Sequence, residues 1–147
     1  MKPARTVAVA VLILGSSLAP HVPQSHAGGT HGAPLGETVT VAADEPIPNL
    51  PGKRLVSHIV DYRPGASSTA HRHARSAFIY AYVISGEIRS QVDGEPARVY
   101  RAGEAWFENP GAYHRVSANA SDTEPARLLA VLIVDAADEQ LVIPDPQ

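Results

Sequence analysis

The spacing of turn signals constrains this chain more than any other feature. Pro46, Pro48, Pro51 and Gly52 come first, followed by Pro64-Gly65, Gly86, Asp93-Gly94, Gly103, Pro110-Gly111 and Pro125. Proline fixes φ and removes a backbone donor, and glycine supplies the positive φ of tight turns, so each point stops a helix or turns a strand. The segments between them are short and rich in β-branched and aromatic residues, and none carries more than a few residues of capped helical periodicity. Strands are expected at 37–41, 55–62, 78–84, 88–92, 97–100, 106–108, 114–117 and 128–134. Asp93-Gly94 reads as a hairpin turn. The unbroken apolar run at 128–134 reads as a strand buried on both faces. Short strands at close spacing predict an all-β sandwich or barrel, and 147 residues predict one domain.

Composition removes several functions. The chain has no cysteine, which excludes disulfides, thiolate ligands and a cysteine nucleophile, so any metal must be held by histidine and oxygen ligands. A net charge of −3 without a basic block argues against nucleic-acid binding. No Gly-x-Ser-x-Gly elbow is present, which argues against a serine hydrolase. At the N-terminus, Lys2 and Arg5 precede an apolar, uncharged run at 6–19 that falls short of the ~20 residues of a membrane span. Ser25-His26-Ala27 then offers small residues for cleavage, so 1–27 reads as a secretory signal peptide, with a cut near Ala19 as the alternative. The mature chain, near −5, is expected to be secreted, or periplasmic in a Gram-negative source, with no membrane association after cleavage. Residues 28–52 read as a flexible or partly extended arm that includes His31, and 53–136 as the barrel. Residues 137–147 read as a tail whose Pro144-Asp145-Pro146 end is expected to be unordered.

Chemistry concentrates at 65–86. His71-Arg72-His73 puts two imidazoles on one side of an extended strand, as a metal site needs, with Arg72 pointing away. The alternative is two loop histidines that happen to fall two apart. With a second stretch downstream, these residues resemble the cupin superfamily, small jelly-roll β-barrels that carry two short motifs. The first motif runs glycine, five residues, His-x-His, a few residues, glutamate, six residues and glycine; Gly65, His71, His73 and Gly86 occupy it here. The second runs glycine, five residues, Pro-x-Gly, two residues, histidine, three residues and asparagine; Gly103, Gly111 and His114 fall on their places.

The departures bear on chemistry. No acid lies between His73 and Gly86, and counting back from Gly86 puts Ile79 where the family has its glutamate. Asn109-Pro110-Gly111 displaces the motif proline by one, and Ala118 takes the asparagine position with Asn119 one residue late. The resemblance therefore implies a single jelly-roll barrel with a metal site reduced to His71, His73 and His114. Three imidazoles suit Fe, Ni, Zn, Mn or Cu and leave positions for water or substrate. Without the carboxylate the ion keeps its full +2 charge and pulls harder on an anion or a bound water. A degenerate pocket with hydrogen-bonding histidines and no metal is the competing reading.

Glu108 and Gln91 are the candidates to replace the missing acid if their strands turn them inward, and solvent-facing otherwise. Tyr80 and Tyr82 share one strand face, which makes them either substrate hydrogen bonds or packing against a neighbouring sheet or subunit. Arg75 sits where a guanidinium at the pocket mouth would grip a carboxylate, against the default of a solvated loop residue. Trp106 and Phe107 are expected in the core, with a ligand stack as the alternative, and His58 in the core or an interface, with a strand position near the pocket as the alternative. Together the expectation is an exported metal-binding cupin with a small-molecule ligand and dioxygenase- or isomerase-type activity. The alternatives are a non-catalytic ligand-binding module with a vestigial metal pocket, or a structural protein. A homodimer through an edge strand follows by analogy with the family.

Overall fold

The computed structural model describes residues 36–146, so the expected signal peptide at 1–27 and His31 lie outside the described residues. Ten strands and no helix make up those residues: β1 (Glu37–Pro46), β2 (Lys53–Tyr62), β3 (His71–His73), β4 (Phe78–Ser85), β5 (Glu87–Val92), β6 (Arg98–Arg101), β7 (Ala105–Glu108), β8 (Tyr113–Asn119), β9 (Ala126–Asp135) and β10 (Val142–Pro144). They form two antiparallel five-stranded sheets, in the orders β1-β2-β9-β4-β7 and β10-β3-β8-β5-β6. This is the all-β jelly roll that the turn spacing and the motifs predict.

Alternation explains which side chains meet between the sheets. On β4, Ile79, Ala81 and Val83 are buried, whereas Phe78, Tyr80 and Tyr82 take the other face. On β5, Ile88 and Ser90 are buried in the same way. The apolar core forms two clusters, one around Val60, Val83, Ile88 and Leu128, the other around Val56, Ile79, Leu132 and Val134. Each fully buried Ile, Leu or Val contributes about 1.5–3 kcal/mol relative to exposure. Two turns hold the frame. Asp93 and Gly94 have φ of 49° and 78°, the double positive φ of a hairpin turn, and the Asp93 carboxylate accepts from the Tyr113 amide. Gly86, with φ of 71°, leaves no room for a side chain, since a Cβ there would lie 2.5 Å from the Pro125 carbonyl oxygen.

Four expectations need correction. The strand expected at 37–41 is longer, because β1 pairs with β2 from Glu37↔Tyr62 to Pro46↔Arg54; on this edge strand the terminal proline breaks no internal ladder. The tail is ordered through Asp145. β10 pairs with β3 in the register Val142↔His73, the Asp145 amide donates to the Ala70 carbonyl, and Tyr113 Oη donates to the Asp145 carboxylate. The cause is the free edge of β3, whose backbone groups β8 satisfies on one side only. β9 is buried on the face of Leu128, Leu132 and Val134, while Leu129, Val131 and Ile133 are half-buried. Phe107, expected in the core, is 64% exposed and stacks on Phe78 across the outer surface, because Trp106 and Glu108 take the inward positions of β7.

Candidate metal centre

β3 and β8 bring the three histidines together. His71 and His114 are direct cross-strand partners, and His73 lies two residues along β3 on the same buried face. The second-motif turn secures this register: the His73 amide donates to the Ala112 carbonyl and the Gly111 amide to the Ala74 carbonyl. The ring centroids stand 4.8 Å (His71–His73), 5.2 Å (His71–His114) and 6.1 Å (His73–His114) apart. One nitrogen from each ring lies within 4.8 Å of the others. Two donors ~2.1 Å from one ion can be at most ~4.2 Å apart, so the set is slightly splayed for a single ion.

Each imidazole has its own surroundings. His71 Nδ1 donates to the Thr69 carbonyl at 2.7 Å, which leaves the Nε2 lone pair free. His114 Nε2 pairs with Ser90 Oγ at 2.9 Å, and its Nδ1 lies 3.4 Å from Glu108 Oε1. His73 Nε2 faces Glu108 Oε2 at 3.0 Å without the alignment of a hydrogen bond, and neither nitrogen of this buried ring has a hydrogen-bond partner. The opposite sheet supplies Glu108, which is 3% exposed and whose Oε1 accepts from Trp106 Nε1 at 3.0 Å.

Protonation suits a cation. Burial pushes His114 down to about 4, against the opposing pull of Glu108, and lowers His71 against its bond to Thr69. Burial alone would raise Glu108, but the His73 and His114 rings and the Trp106 N–H outweigh it and hold the carboxyl below its ordinary range. At neutral pH the cluster thus offers neutral His71 and His114 rings and a carboxylate. A donor set of imidazoles, with buried atoms left unpaired at its centre, fits a divalent transition metal.

The cluster opens into a cavity of about 370 Å³ between the sheets, with apolar walls from Val60, Ile79, Leu128 and Leu132. Elsewhere on the lining, Tyr62 Oη is 2.8 Å from both Ser68 Oγ and Ser117 Oγ, and all three residues line the cavity. Burial raises the Tyr62 phenol pKa, against the two serine hydrogen bonds, so it stays protonated at neutral pH. His58 and Glu37 also reach the lining, and burial lowers the His58 pKa.

The sequence-derived candidates therefore divide. His71, His73, His114 and Glu108 meet at one place on the cavity wall. Tyr80 and Tyr82 lie on the outer face of β4, where they stack on each other and Tyr80 also meets Phe107, because Ile79 and Ala81 take the inward positions. Arg75 is exposed in the turn after β3, off the lining, and Arg72 lies over the Tyr113 ring at 4.7 Å. Gln91 is bonded to the Glu95 carbonyl and is likewise off the lining. The Tyr62, Ser68 and Ser117 cluster escapes sequence reasoning, since hydroxyls spread over 55 residues carry no spacing signature.

Comparison with known proteins adds the following. The sequence model of a family described as the cupin domain matches residues 58–132, about half of the chain. No curated protein matches. Among solved structures, a conserved protein with a double-stranded β-helix domain from Klebsiella pneumoniae is similar with a TM-score of 0.58 and 18% identity, over 76% of this chain and 85% of that one. KdgF from Halomonas sp. is similar with a TM-score of 0.54 and 24% identity, over 72% and 84%. An oxalate oxidase in complex with the substrate analogue glycolate is similar with a TM-score of 0.52 and 25% identity, over 78% and 68%.

Proposed function

The chain belongs to the cupin domain family, and from that premise we propose that it is an exported, metal-dependent enzyme acting on a small organic molecule, with oxygenase or isomerase chemistry. The observation that carries this reading is the buried His71, His73 and His114 group at the wall of a cavity with apolar walls. The three imidazoles would hold Fe, Ni, Zn, Mn or Cu. Bound there, the ion supplies a Lewis acid to a ligand entering the cavity.

The remaining work falls to the chain's own residues. Val60, Ile79, Leu128 and Leu132 exclude water and accept the apolar body of a ligand. Tyr62, held by Ser68 and Ser117, keeps its proton on Oη and offers it to a polar group of the ligand. The volume, near the lower end of the ~300–1,000 Å³ range of ligand sites, favours a small molecule. Among the described residues no lysine or arginine lines the cavity. The oxalate oxidase likeness supports enzymatic use of such a barrel on a small molecule. Export rests on Lys2, Arg5, the apolar run at 6–19 and the Ser25-His26-Ala27 site.

The test is metal analysis of protein purified without affinity tag or chelator, followed by oxygen uptake of the iron form. A stoichiometric transition metal that is lost in His71→Ala supports the proposal. Metal-free protein whose thermal stability is unmoved by Fe²⁺, Ni²⁺ or Zn²⁺ leaves a non-catalytic ligand-binding module as the reading.

A further inference from the structure

We infer that Glu108 is the carboxylate ligand of this centre, moved from the strand that carries the acid in the first motif to the strand bonded beside it. The inference rests on the metal reading above and deepens it. The motif position for glutamate, counted back from Gly86, is Ile79. Ile79 on β4 is the register partner of Glu108 on β7, and both side chains line the cavity. Directly opposed residues stand about 5 Å apart at Cα. The exchange thus shifts the root of the carboxylate by one strand, and the length of the glutamate side chain returns its oxygens to the histidines.

Three observations support ligation, the first by permitting it and the other two by favouring it over an ordinary ion pair. The first is distance. Donors ~2.1 Å from one ion stand about 3.0 Å apart in octahedral and about 3.4 Å apart in tetrahedral geometry. Glu108 Oε2 lies 3.0 Å from His73 Nε2, and Oε1 lies 3.4 Å from His114 Nδ1. The second is alignment: the His73–Glu108 contact lacks hydrogen-bond geometry, and Oε2 and both His73 nitrogens are buried without partners. A bare buried acceptor of this kind costs about 1–3 kcal/mol, more when charged, unless something fills the gap. The third is support from behind, where Trp106 Nε1 holds Oε1 and fixes the carboxylate rotamer.

The consequence is chemical. Three neutral imidazoles with one carboxylate lower the charge of the centre from +2 to +1. That set suits harder ions such as Mn²⁺ better than three imidazoles alone, and it weakens the pull on anionic ligands. An acid apparently lost from the motif is retained in space.

The experiment titrates Mn²⁺, Ni²⁺ and Zn²⁺ separately into the purified chain against a chromogenic chelator, for the native protein, Glu108→Gln and the double exchange Ile79→Glu with Glu108→Ile. Glu108→Gln is expected to weaken Mn²⁺ binding by at least about tenfold and Ni²⁺ by clearly less, because only the carboxylate favours the harder ion. The double exchange is expected to return Mn²⁺ affinity to within about threefold of native. Unchanged affinities in Glu108→Gln overturn the proposal alone, as does an equal fall for both ions, which marks an orienting role. A native chain that binds none of the three removes the metal reading and this proposal together. Should Glu108→Gln not fold, a crystal structure of the Zn²⁺-loaded native chain decides: a Glu108 oxygen within ~2.2 Å of the ion supports ligation, and one beyond ~3 Å overturns it.

Discussion

The metal-free protein is expected to lose stability steeply as pH falls from 6.5 toward 4. His114 is 4% exposed, and burial pushes its pKa from 6.5 to about 4, with Glu108 opposing the shift. The unfolded chain takes up this proton near 6.5, and the folded chain only near 4. Between those values the unfolded state binds more protons, so each pH unit of acidification removes up to about 1.4 kcal/mol of folding stability. The contribution is fully present above pH 6.5, and about 3 kcal/mol of it is gone by pH 4. His71 and His58 are lowered by burial too and add in the same direction, and Glu108, held below its ordinary range, adds as pH falls below 4.5. Against a typical 5–15 kcal/mol for a domain, this is a large fraction. Urea unfolding in chelator-treated buffer at half-unit steps from pH 7.5 to 4 measures it, with His114→Gln as the comparison. The native curve should fall more than the variant curve by about 3 kcal/mol across the window. A native free energy that is flat between pH 6.5 and 4.5, or slopes that run parallel in the two proteins, would refute the reasoning.

Two further outcomes follow from the frame of the barrel. Gly86→Ala places a Cβ 2.5 Å from the Pro125 carbonyl oxygen and 2.8 Å from Ala126 Cα, at φ of 71°, so a loss of at least about 2 kcal/mol is expected in urea unfolding. A loss below about 0.5 kcal/mol would mean that the β4–β5 turn shifts freely away from the 125–126 backbone. Tyr62→Phe deprives the Ser68 and Ser117 hydroxyls of their shared partner and should cost about 1–2 kcal/mol, also read by urea unfolding, while leaving metal stoichiometry unchanged. Metal loss in Tyr62→Phe would contradict the reading that the phenol is held by the serines and not by the histidines.

How legible the molecule is in its sequence depends on how far apart the interacting residues lie. Strands and hairpins are local: Asp93-Gly94 and Gly86 announce their turns through φ requirements that neighbours cannot relieve, and the alternation of 78–84 gives its period correctly. The pairing of His71 with His73 is local as well, since two residues on one strand share a face by geometry alone. The third ligand candidate, His114, is legible only because the family motif supplies a separation that the physics of one strand does not. Edges are less legible. β10 is a strand because β3 has an open side, and nothing within Val142-Ile143-Pro144 encodes that vacancy. Which member of Trp106-Phe107-Glu108 points inward is likewise a matter of register, and reading both aromatics as core conflicts with the period of 2 that separates them.

Glu108 marks the limit of counting along the chain. A motif search follows the acid through 73–86 and finds Ile79, because a linear pattern records only positions on one strand. The side chains that surround an ion are chosen by the sheets, where the nearest alternative root for a carboxylate is the opposed residue on the adjacent strand. Twenty-nine residues separate Ile79 from Glu108 along the chain, yet one hydrogen-bonded register joins them. Ligation also resolves what is otherwise a cost of the inward-facing Glu on β7. A carboxylate 3% exposed, with one oxygen unpartnered, is hard to retain unless a positive charge compensates it. Replacing both halves of the pair separates the two possibilities: if the acid only orients the histidines from β7, Ile79→Glu with Glu108→Ile leaves metal affinity as low as in Glu108→Gln. If the acid serves the ion, either strand can carry it.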